Sequence, residues 1–332
     1  MTAIKPPLPE EIFSVSDNQS FEKTALEIFR FQAHECPVYR QYISLLGIDP
    51  QNVDGILKIP FLPVSFFRDH HVITGGGEPE KIFLSSGTTG MQQSRHAVKS
   101  LALYDESLAR TFRRFYGDPS QYAIMGLLPS YLERGGSSLV YMVKKLIDLS
   151  ENTNGGFFLD DFDALIRAVS EARRAKLKVL LFGVTFALLD LAEKHPCDLS
   201  DVIIMETGGM KGRRHEMVRE ELHGILKAAF NIRAVHSEYG MTELLSQAYS
   251  AADGIFTTPP WMKVLMRDSH DPSSHTTELG ASGGISIIDL ANLWSCSFIA
   301  TSDIGRMSEG GSFEVLGRFD NSDIRGCSLM VT

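Results

Sequence analysis

The chain has 332 residues, of which 43% are hydrophobic and 22% charged, and its formal net charge is −9. This composition is typical of a soluble globular protein with enough apolar material for a large core. The acidic balance, together with the lack of a long run of Lys and Arg, argues against nucleic acid as a partner.

The N-terminal segment and the cysteines indicate the compartment. Residues 1–20 contain Pro and acidic residues where a signal peptide would need an apolar stretch, and no apolar run approaches the ~20 residues of a membrane span. The four cysteines, Cys36, Cys197, Cys296 and Cys327, have neither metal-ligand spacing nor the density of a disulfide framework. We expect a reduced, cytoplasmic protein without a membrane span.

The first predicted element is a helix over residues 21–46, in which apolar residues recur at helical spacing and Pro37 is placed to break the helix. An extended segment over 59–69 follows. A turn at 75–80 then precedes a short predicted strand at 81–86.

From residue 99 onward, predicted helices and strands alternate. Helices are predicted at 99–115, 136–148, 161–175, 184–194 and 214–229, and strands at 122–128, 156–159, 177–183, 201–206 and 232–237. This alternation predicts an α/β fold with a parallel or mixed sheet that helices cover on both faces. After about residue 254 the sequence is rich in turns and short strand-like runs. We therefore expect an α/β core with an N-terminal helical segment at 1–253 and a smaller β-rich subdomain at 254–332.

The first motif is a run of small polar residues at the end of the strand predicted at 81–86. It consists of Ser85, Ser86, Gly87, Thr88, Thr89 and Gly90. Its glycines allow the backbone to turn closely around an anion, and its hydroxyl and N–H groups can converge on phosphate oxygens. A surface turn is the simpler interpretation. The motif is not the usual P-loop, because no Lys follows the last Gly.

The second motif, SEYGMTE at residues 237–243, directly follows a predicted strand. The Thr242 hydroxyl and the Glu243 carboxylate at a strand end can hold a phosphate and its Mg²⁺ together. Alternatively, Thr242 caps a helix and Glu243 lies in its first turn. From the residues alone, the helix interpretation is favoured.

Three further segments contain candidate binding residues, and the first two can also be read as ordinary turns. In ETGGMKG at 206–212, the Gly pair allows the backbone to approach a flat ring, or simply makes a turn between a strand and a helix. In TSDIGR at 301–306, Asp303 suits a ribose diol or an ordinary turn before Gly. The last segment, GRFDNSDIRG at 317–326, contains Arg318.

In this order, the five segments resemble the signature series of the adenylate-forming superfamily, which includes acyl-CoA synthetases, nonribosomal peptide adenylation domains and firefly luciferase. The likeness runs from about residue 82 to 326. More narrowly, LLPSYLERGGSSLVYMV at 127–143 and the ending DIRGCSLM are similar to the acyl-protein synthetase subunit of the bacterial bioluminescence fatty-acid reductase complex. The resemblance implies two covered sheets and a small β-rich subdomain, without the C-terminal lid domain.

The resemblance implies roles for the ATP-binding residues. Thr88 and its loop neighbours would cradle the phosphates. Gly208 and Gly209 would line the adenine slot, next to Gly240, and Tyr239 would stack on the adenine ring.

It likewise implies the residues closest to the chemistry. Thr242 would contact the α-phosphate, Glu243 would hold Mg²⁺, and Asp303 would bind the ribose hydroxyls with help from Arg318. The implied reaction activates a carboxylic acid, most naturally a fatty acid, as its acyl-adenylate. The acyl group would then pass to Cys327 as a thioester, for delivery to a partner reductase; a small buried hydrophobe is the simpler interpretation of Cys327.

Two departures from the superfamily keep other functions open. Gln92 and Gln93 stand where a Pro and a Lys usually follow the phosphate loop, with Arg95 as the nearest cation, and the lid lysine has no counterpart. One alternative is an acyl- or aryl-CoA ligase with free CoA as acceptor. The other is a non-catalytic partner subunit that binds nucleotide or acyl chains.

Overall fold

In the computed structural model, the described residues are 5–85, 93–129, 136–208 and 217–319. Their helices are α1 Pro9–Phe13, α2 Asn18–Glu35, α3 Pro37–Leu45, α4 Phe66–Asp69, α5 Leu101–Tyr116, α6 Ser138–Ser150, α7 Phe162–Arg174, α8 Thr185–Lys194 and α9 Arg219–Phe230. Their strands are β1 Leu62–Pro63, β2 Lys81–Leu84, β3 Arg95–Val98, β4 Tyr122–Leu127, β5 Gly156–Phe157, β6 Lys178–Val184, β7 Val202–Thr207, β8 His236–Tyr239, β9 Ala248–Ser250, β10 Ile255–Phe256, β11 Met262–Arg267, β12 His275–Thr276, β13 Ser282–Asp289, β14 Phe298–Met307 and β15 Phe313–Arg318.

The helical segment near the N-terminus consists of two helices. The Asp17 carboxylate caps α2 by accepting a hydrogen bond of 2.8 Å from the Ser20 N–H. Cys36 is extended (φ −98°, ψ 106°) because it precedes Pro37, which begins α3. The helix predicted over 21–46 is therefore interrupted at the predicted proline.

One sheet has six strands in the order β5-β4-β6-β7-β8-β9, parallel from β5 to β8 and antiparallel at β9. Its central strands are almost entirely buried, as expected when helices cover both faces of a parallel sheet. The register aligns Gly183 with Glu206, and Glu206 with Ser237. The motifs that follow β7 and β8 therefore lie at the same edge of the sheet.

The last of these parallel strands starts later than predicted. The predicted strand covers 232–237, whereas β8 spans His236–Tyr239 and so includes Glu238 and Tyr239 of the second motif. α9 ends at Asn231 in the left-handed conformation (φ 54°), and β8 meets β7 first where His236 pairs with Met205. The residues between them connect the helix to the sheet.

The second sheet has seven strands. Six follow the order β10-β15-β14-β13-β11-β12, all antiparallel, and the N-terminal strand β1 pairs parallel to β14 with Leu62 opposite Ile299. The described part of the chain after residue 254 thus forms one sheet that takes a strand from the N-terminal region. The predicted α/β architecture with a β-rich C-terminal part is confirmed, while the boundary at residue 253 stays a prediction.

A separate two-stranded hairpin carries the first motif. β2 and β3 pair antiparallel, with Leu84 opposite Arg95, and residues 86–92 connect them outside the described residues. In chain order the motif therefore lies between these two paired strands.

Buried side chains from both parts form one hydrophobic core, which extends from Ile12 in α1 to Phe313 in β15. The buried Gln32 side chain of α2 crosses between the parts: its amide donates to the carbonyl oxygens of Asn292 (3.1 Å) and Leu293 (2.9 Å). Within the described ranges, no helix combines the length and apolar character needed to cross a bilayer.

Candidate active site

The base of the β2–β3 hairpin is held by hydrogen bonds between its two sides. The Ser85 N–H donates to the Ser94 carbonyl (3.0 Å), and the Ser94 N–H donates to the Ser85 hydroxyl (2.9 Å). The Gln93 amide donates to the Ser85 carbonyl (2.8 Å), so this neutral side chain joins the two sides of the hairpin base. The predicted phosphate-binding residues Ser86, Gly87, Thr88, Thr89 and Gly90 lie outside the described residues, as do Gln92 and Gly209.

Asp303 lies where three of the motifs meet. Its carboxylate accepts a hydrogen bond of 2.8 Å from the Tyr239 hydroxyl at one oxygen and lies 3.0 Å from the Arg318 Nε at the other. β14 and β15 place Asp303 directly opposite Arg318. The carboxylate is almost buried, whereas 74% of the Arg318 side chain is exposed. The Asp303 carboxylate is thus held by two contacts at a solvent-facing rim.

Tyr239 is packed beneath this carboxylate. Its ring meets Phe313 edge-on at 5.4 Å and Phe256 at a tilt at 5.8 Å. Burial, followed by the neighbouring Asp303, raises the pKa of Tyr239 well above its usual value, so the phenol stays a hydrogen-bond donor. The Tyr239 hydroxyl therefore orients the Asp303 carboxylate. The stacking of Tyr239 on adenine stays a prediction.

Two motif glycines are required by their surroundings. Gly208 ends β7 with φ +76°, in the left-handed region that other residues rarely adopt, and its carbonyl accepts a hydrogen bond of 3.1 Å from Thr185. At Gly240 a Cβ atom would lie 2.3 Å from Oε1 of Glu238, so a side chain there would displace the carboxyl group.

Thr242 and Glu243 lie in a turn between β8 and β9. Glu243 is only 5% exposed. Burial raises its pKa, while a hydrogen bond with the Ser94 side chain and the Arg318 charge act to lower it and Asp303 acts to raise it. Residues 240–247 contain no helix, so the alternative in which Thr242 caps a helix is wrong. The structure instead brings Glu243 near Ser94 of the β2–β3 hairpin and near the group formed by Tyr239, Asp303 and Arg318, called below the Asp303 cluster.

The turn rests on a buried aspartate that the motifs did not indicate. Asp289, which ends β13, accepts hydrogen bonds from the N–H groups of Leu245 (2.8 Å) and Ser246 (3.0 Å) and from the Ser246 hydroxyl (2.6 Å). Burial raises the pKa of Asp289, and these donors oppose the rise. A sequence signal existed: a charged residue ends an otherwise apolar strand, which requires buried partners.

Two more residues missed from the sequence hold the carbonyl groups of the same turn. The Asn292 amide donates to the carbonyls of Glu243 (2.8 Å) and Cys296 (2.9 Å). The fully buried His96 contacts the Thr242 carbonyl with Nδ1 (2.8 Å) and Oδ1 of Asn292 with Nε2 (3.0 Å). The turn that carries Thr242 and Glu243 is therefore fixed on both its N–H and its C=O side.

Two further carboxyl groups, those of Glu206 and Glu238, lie near the ends of β7 and β8. The Thr185 hydroxyl donates to Glu206 (2.5 Å), and the Thr207 hydroxyl donates to Glu238. Burial, with a contribution from Glu206, raises the pKa of Glu238 to about 7.

The described residues contain no group of three or more His, Cys, Asp or Glu side chains arranged to hold a metal ion. Cys36, Cys197 and Cys296 are free thiols, and burial raises the pKa of each. The predicted nucleophile Cys327 lies outside the described residues.

Solved structures define the class of fold. The 2-hydroxyisobutyryl-CoA ligase, solved in the postadenylation state with R3-HIB-AMP, has a TM-score of 0.63 at 11% identity, covering 92% of this chain and 69% of its own. ATP-bound MatB from Rhodopseudomonas palustris has a TM-score of 0.53 at 16% identity, covering 74% of this chain and 49% of its own. The fold is that of the adenylate-forming enzymes, and this chain spans about half the length of MatB.

The family follows from the sequence itself. The family described as acyl-protein synthetase, LuxE, matches residues 9–332. The chain therefore belongs to the LuxE acyl-protein synthetase family, and the predicted family and enzyme class, an adenylate-forming ligase, are confirmed. No curated protein matches the chain significantly.

Proposed function

We propose that this protein uses ATP and Mg²⁺ to convert a fatty acid into its acyl-adenylate and then takes the acyl group onto Cys327 as a thioester. The observation that carries the proposal is the convergence of separate motifs at one rim. Asp303 contacts both Tyr239 and Arg318, and Glu243 lies close enough for the charges of Asp303 and Arg318 to act on its pKa.

The arrangement suits a nucleotide. Asp303 has one oxygen on Tyr239 and one beside Arg318, and its remaining acceptor capacity can bind the ribose hydroxyls. Gly208, which directly follows β7 at the same sheet edge, would allow the backbone to approach the base. The phosphates would then extend toward Thr242 and the β2–β3 hairpin.

Glu243 fits a magnesium ion because its carboxylate is buried with little compensation. Burial raises its pKa, so the ionised form lacks the stabilisation that a divalent cation supplies. Oxygen ligands from one or two carboxylates and from substrate phosphates are typical of Mg²⁺. When bound, the ion would neutralise charge on the phosphate oxygens.

This reaction requires the protein mainly to position the reacting groups. The substrate carboxylate attacks the α-phosphorus, an O–P bond forms, and the bond to the β-phosphate oxygen breaks to release pyrophosphate. Such a step depends on alignment and on groups fixed where charge develops. The Thr242–Glu243 turn, held by Asp289, Asn292 and His96, meets that requirement.

Acyl transfer to Cys327 would release AMP as the thioester forms. The chemistry of the other thiols supports this choice: Cys36 and Cys296 are fully buried, and burial raises the pKa of Cys197 as well, which makes all three poor nucleophiles. The family description, acyl-protein synthetase, suits a protein thiol as acceptor and a reductase as recipient. Free thiols also fit the reducing cytoplasm.

ATP–pyrophosphate exchange tests the first step. We expect exchange that requires both Mg²⁺ and a carboxylic acid, measured over a panel of fatty and aryl acids with and without a reductase subunit. Absence of exchange under all these conditions would contradict the proposal. Release of an acyl-CoA on addition of CoA would favour the CoA ligase alternative, and ATP binding without exchange would favour a non-catalytic subunit.

Labelled fatty acid tests the second step. Protein incubated with the label, ATP and Mg²⁺ should acquire a hydroxylamine-labile acyl group. Cys327→Ser should lose this label and retain pyrophosphate exchange, while the control Cys197→Ser should keep both. A labile label that persists in Cys327→Ser would assign the acceptor to another residue.

A further inference from the structure

His96 occupies an unusual position between two motifs. It lies in β3, the second strand of the β2–β3 hairpin, which we call the phosphate-loop hairpin after its proposed role. Its side chain is fully buried, with the ring edge-on to Phe67 at 5.6 Å. Its ring nitrogens reach the turn after β8 and the turn after β13, at Thr242 (2.8 Å) and Asn292 (3.0 Å). One side chain therefore touches all three segments.

The chemistry of these contacts defines what the ring does. The Thr242 carbonyl can only accept, so Nδ1 must carry the hydrogen of that bond. The Asn292 amide nitrogen already donates to the carbonyls of Glu243 and Cys296, which turns its oxygen toward Nε2. Burial lowers the pKa of His96 to about 4, while the hydrogen bonds with Thr242 and Asn292 act to raise it. Because the Thr242 carbonyl can only accept, Nδ1–H donates to it whether or not Nε2 also carries a hydrogen.

The bond to Thr242 is part of a set that joins the hairpin to the turn. The Ser94 side chain, two residues before His96, lies close enough to the Glu243 carboxyl group to lower its pKa, and the Asn292 amide donates to the Glu243 carbonyl. The phosphate-loop hairpin and the Thr242–Glu243 turn are consequently one connected unit. A change of the His96 bond would shift Thr242 and Glu243 relative to the hairpin.

We infer that His96 is a positioning residue that sets the distance between the phosphate-loop hairpin and the Thr242–Glu243 turn. Its effect on catalysis rests on the proposed function. Loss of a side chain that orients the residues around a reacting phosphate typically costs about 10–100-fold in activity. The Asp303 cluster would bind the nucleotide through other contacts. Substitution of His96 should therefore lower kcat of pyrophosphate exchange more than it raises the KM for ATP.

Two substitutions at His96 separate a hydrogen bond from simple packing. His96→Leu removes the donor and leaves the Thr242 carbonyl unpaired, so kcat should fall by about 10–100-fold. His96→Gln retains an N–H donor that can reach the carbonyl and should recover a substantial part of this loss. Equal loss in both variants would overturn the inference that the donor matters.

His223 supplies the matched control. It is 4% exposed in α9, its Nε2 has no hydrogen-bond partner among the described residues, and its charged neighbours Arg219, Lys227 and Asp253 lie outside the proposed site. His223→Leu should leave kcat within about twofold of wild type, because its change of packing is remote from the turn. Melting temperatures of both leucine variants show whether folding itself is impaired.

Hydrogen exchange gives a reading that does not depend on activity. The N–H groups of Leu245 and Ser246 are bonded to Asp289 in the same turn, so a peptide covering residues 239–249 should exchange faster in His96→Leu and not in His223→Leu. Unchanged exchange in His96→Leu would overturn the inference. If wild type shows no pyrophosphate exchange, the proposed function fails, and this hydrogen-exchange comparison still decides whether His96 orders the turn.

Discussion

Individual carboxyl groups of this protein differ in how well their charge is compensated, and that difference indicates their tasks. Asp303 is paired with a cation and a phenol. Asp289 accepts two backbone N–H groups and a hydroxyl from the same turn. Glu243 is buried, and its pKa is raised because the Ser94 side chain, its own backbone N–H and the Arg318 charge offset only part of the effect of burial. A buried charge with so little support is costly in isolation and is suited to a cation that arrives with the substrate.

Glu243→Gln is expected to reduce Mg²⁺-dependent pyrophosphate exchange by roughly 10²–10³-fold, the loss typical of one strong electrostatic contact at a reacting centre. Because the amide has nearly the same shape, stability should change little or increase. Initial rates over a Mg²⁺ titration and a urea unfolding curve measure the two effects. Normal kinetics would show that this carboxylate serves the structure alone.

Asp303→Asn should raise the KM for ATP about tenfold or more and change kcat less, because ribose contacts are similar in the ground and transition states. The amide oxygen can still accept from the Tyr239 hydroxyl, so the fold should persist. What is lost is the charge facing Arg318 and an acceptor for a hydroxyl group.

Asp105 is the control for this substitution, because its carboxylate also lies between a tyrosine hydroxyl (Tyr141, 2.7 Å) and a cation (Lys145, 2.7 Å). Asp105→Asn should leave the KM for ATP unchanged. An equal rise in KM in both variants would show that the effect is not specific to the Asp303 cluster.

At the scale of elements, the site is built where strands end. β7 and β8 run parallel and finish at one edge, which brings Glu206 and Glu238 near each other beside Gly208 and Gly240. β13 and β14 supply Asp289 and Asp303, and the hairpin β2–β3 supplies Ser94 and His96. Turns that leave strand ends can vary without disturbing the sheets, which is why they carry function.

Glu238→Gln should stabilise the protein above pH 7. The folded-state pKa of Glu238 is raised to about 7 from 4.5, so the folded protein retains a proton that the unfolded chain releases, and stability falls as pH rises from about 4.5 through 7. This penalty amounts to roughly 3 kcal/mol at pH 8. Urea unfolding at pH 5 and pH 8 should show a flatter pH dependence for the variant, and an unchanged slope would contradict the shift.

Asp289→Asn should destabilise the fold by about 2–3 kcal/mol, because an amide N–H₂ group would face the N–H groups of Leu245 and Ser246. The exposed Asp54→Asn, which breaks an ion pair with Lys58, should cost much less, because a solvent-exposed ion pair contributes little to stability. Urea unfolding of both variants gives the comparison. A loss as small as that of Asp54→Asn would mean that the Asp289 bonds contribute little.

At the scale of the whole molecule, the two sheets share one core. β1, from the N-terminal region, is a strand of the C-terminal sheet, and Gln32 of α2 binds the carbonyls of Asn292 and Leu293. Contacts of this kind favour unfolding of both parts together, even if the 1–253 and 254–332 division describes two subdomains.

The positions of the helices and the tryptophans allow a direct test of whether the two parts unfold together. All α-helices among the described residues end before residue 253, whereas both tryptophans, Trp261 and Trp294, follow it. We expect the helical circular dichroism signal and tryptophan fluorescence to give the same urea midpoint. Separate midpoints would indicate two independently stable domains.

The sequence by itself determined the alternation of helices and strands from residue 99 onward, the break at Pro37, the motif series and the family, because periodicity, turn chemistry and motif order depend on residues close together in the chain. The tertiary structure decided which motif residues touch. His96 meets Thr242 across 146 positions and Tyr239 meets Asp303 across 64, and neither pairing has a local signal. It also decided against the helix start at Thr242 and revealed Asp289 and Asn292 beneath the turn. Such contacts are set by sheet register and by the requirement that buried polar groups find partners, and both are properties of the folded chain.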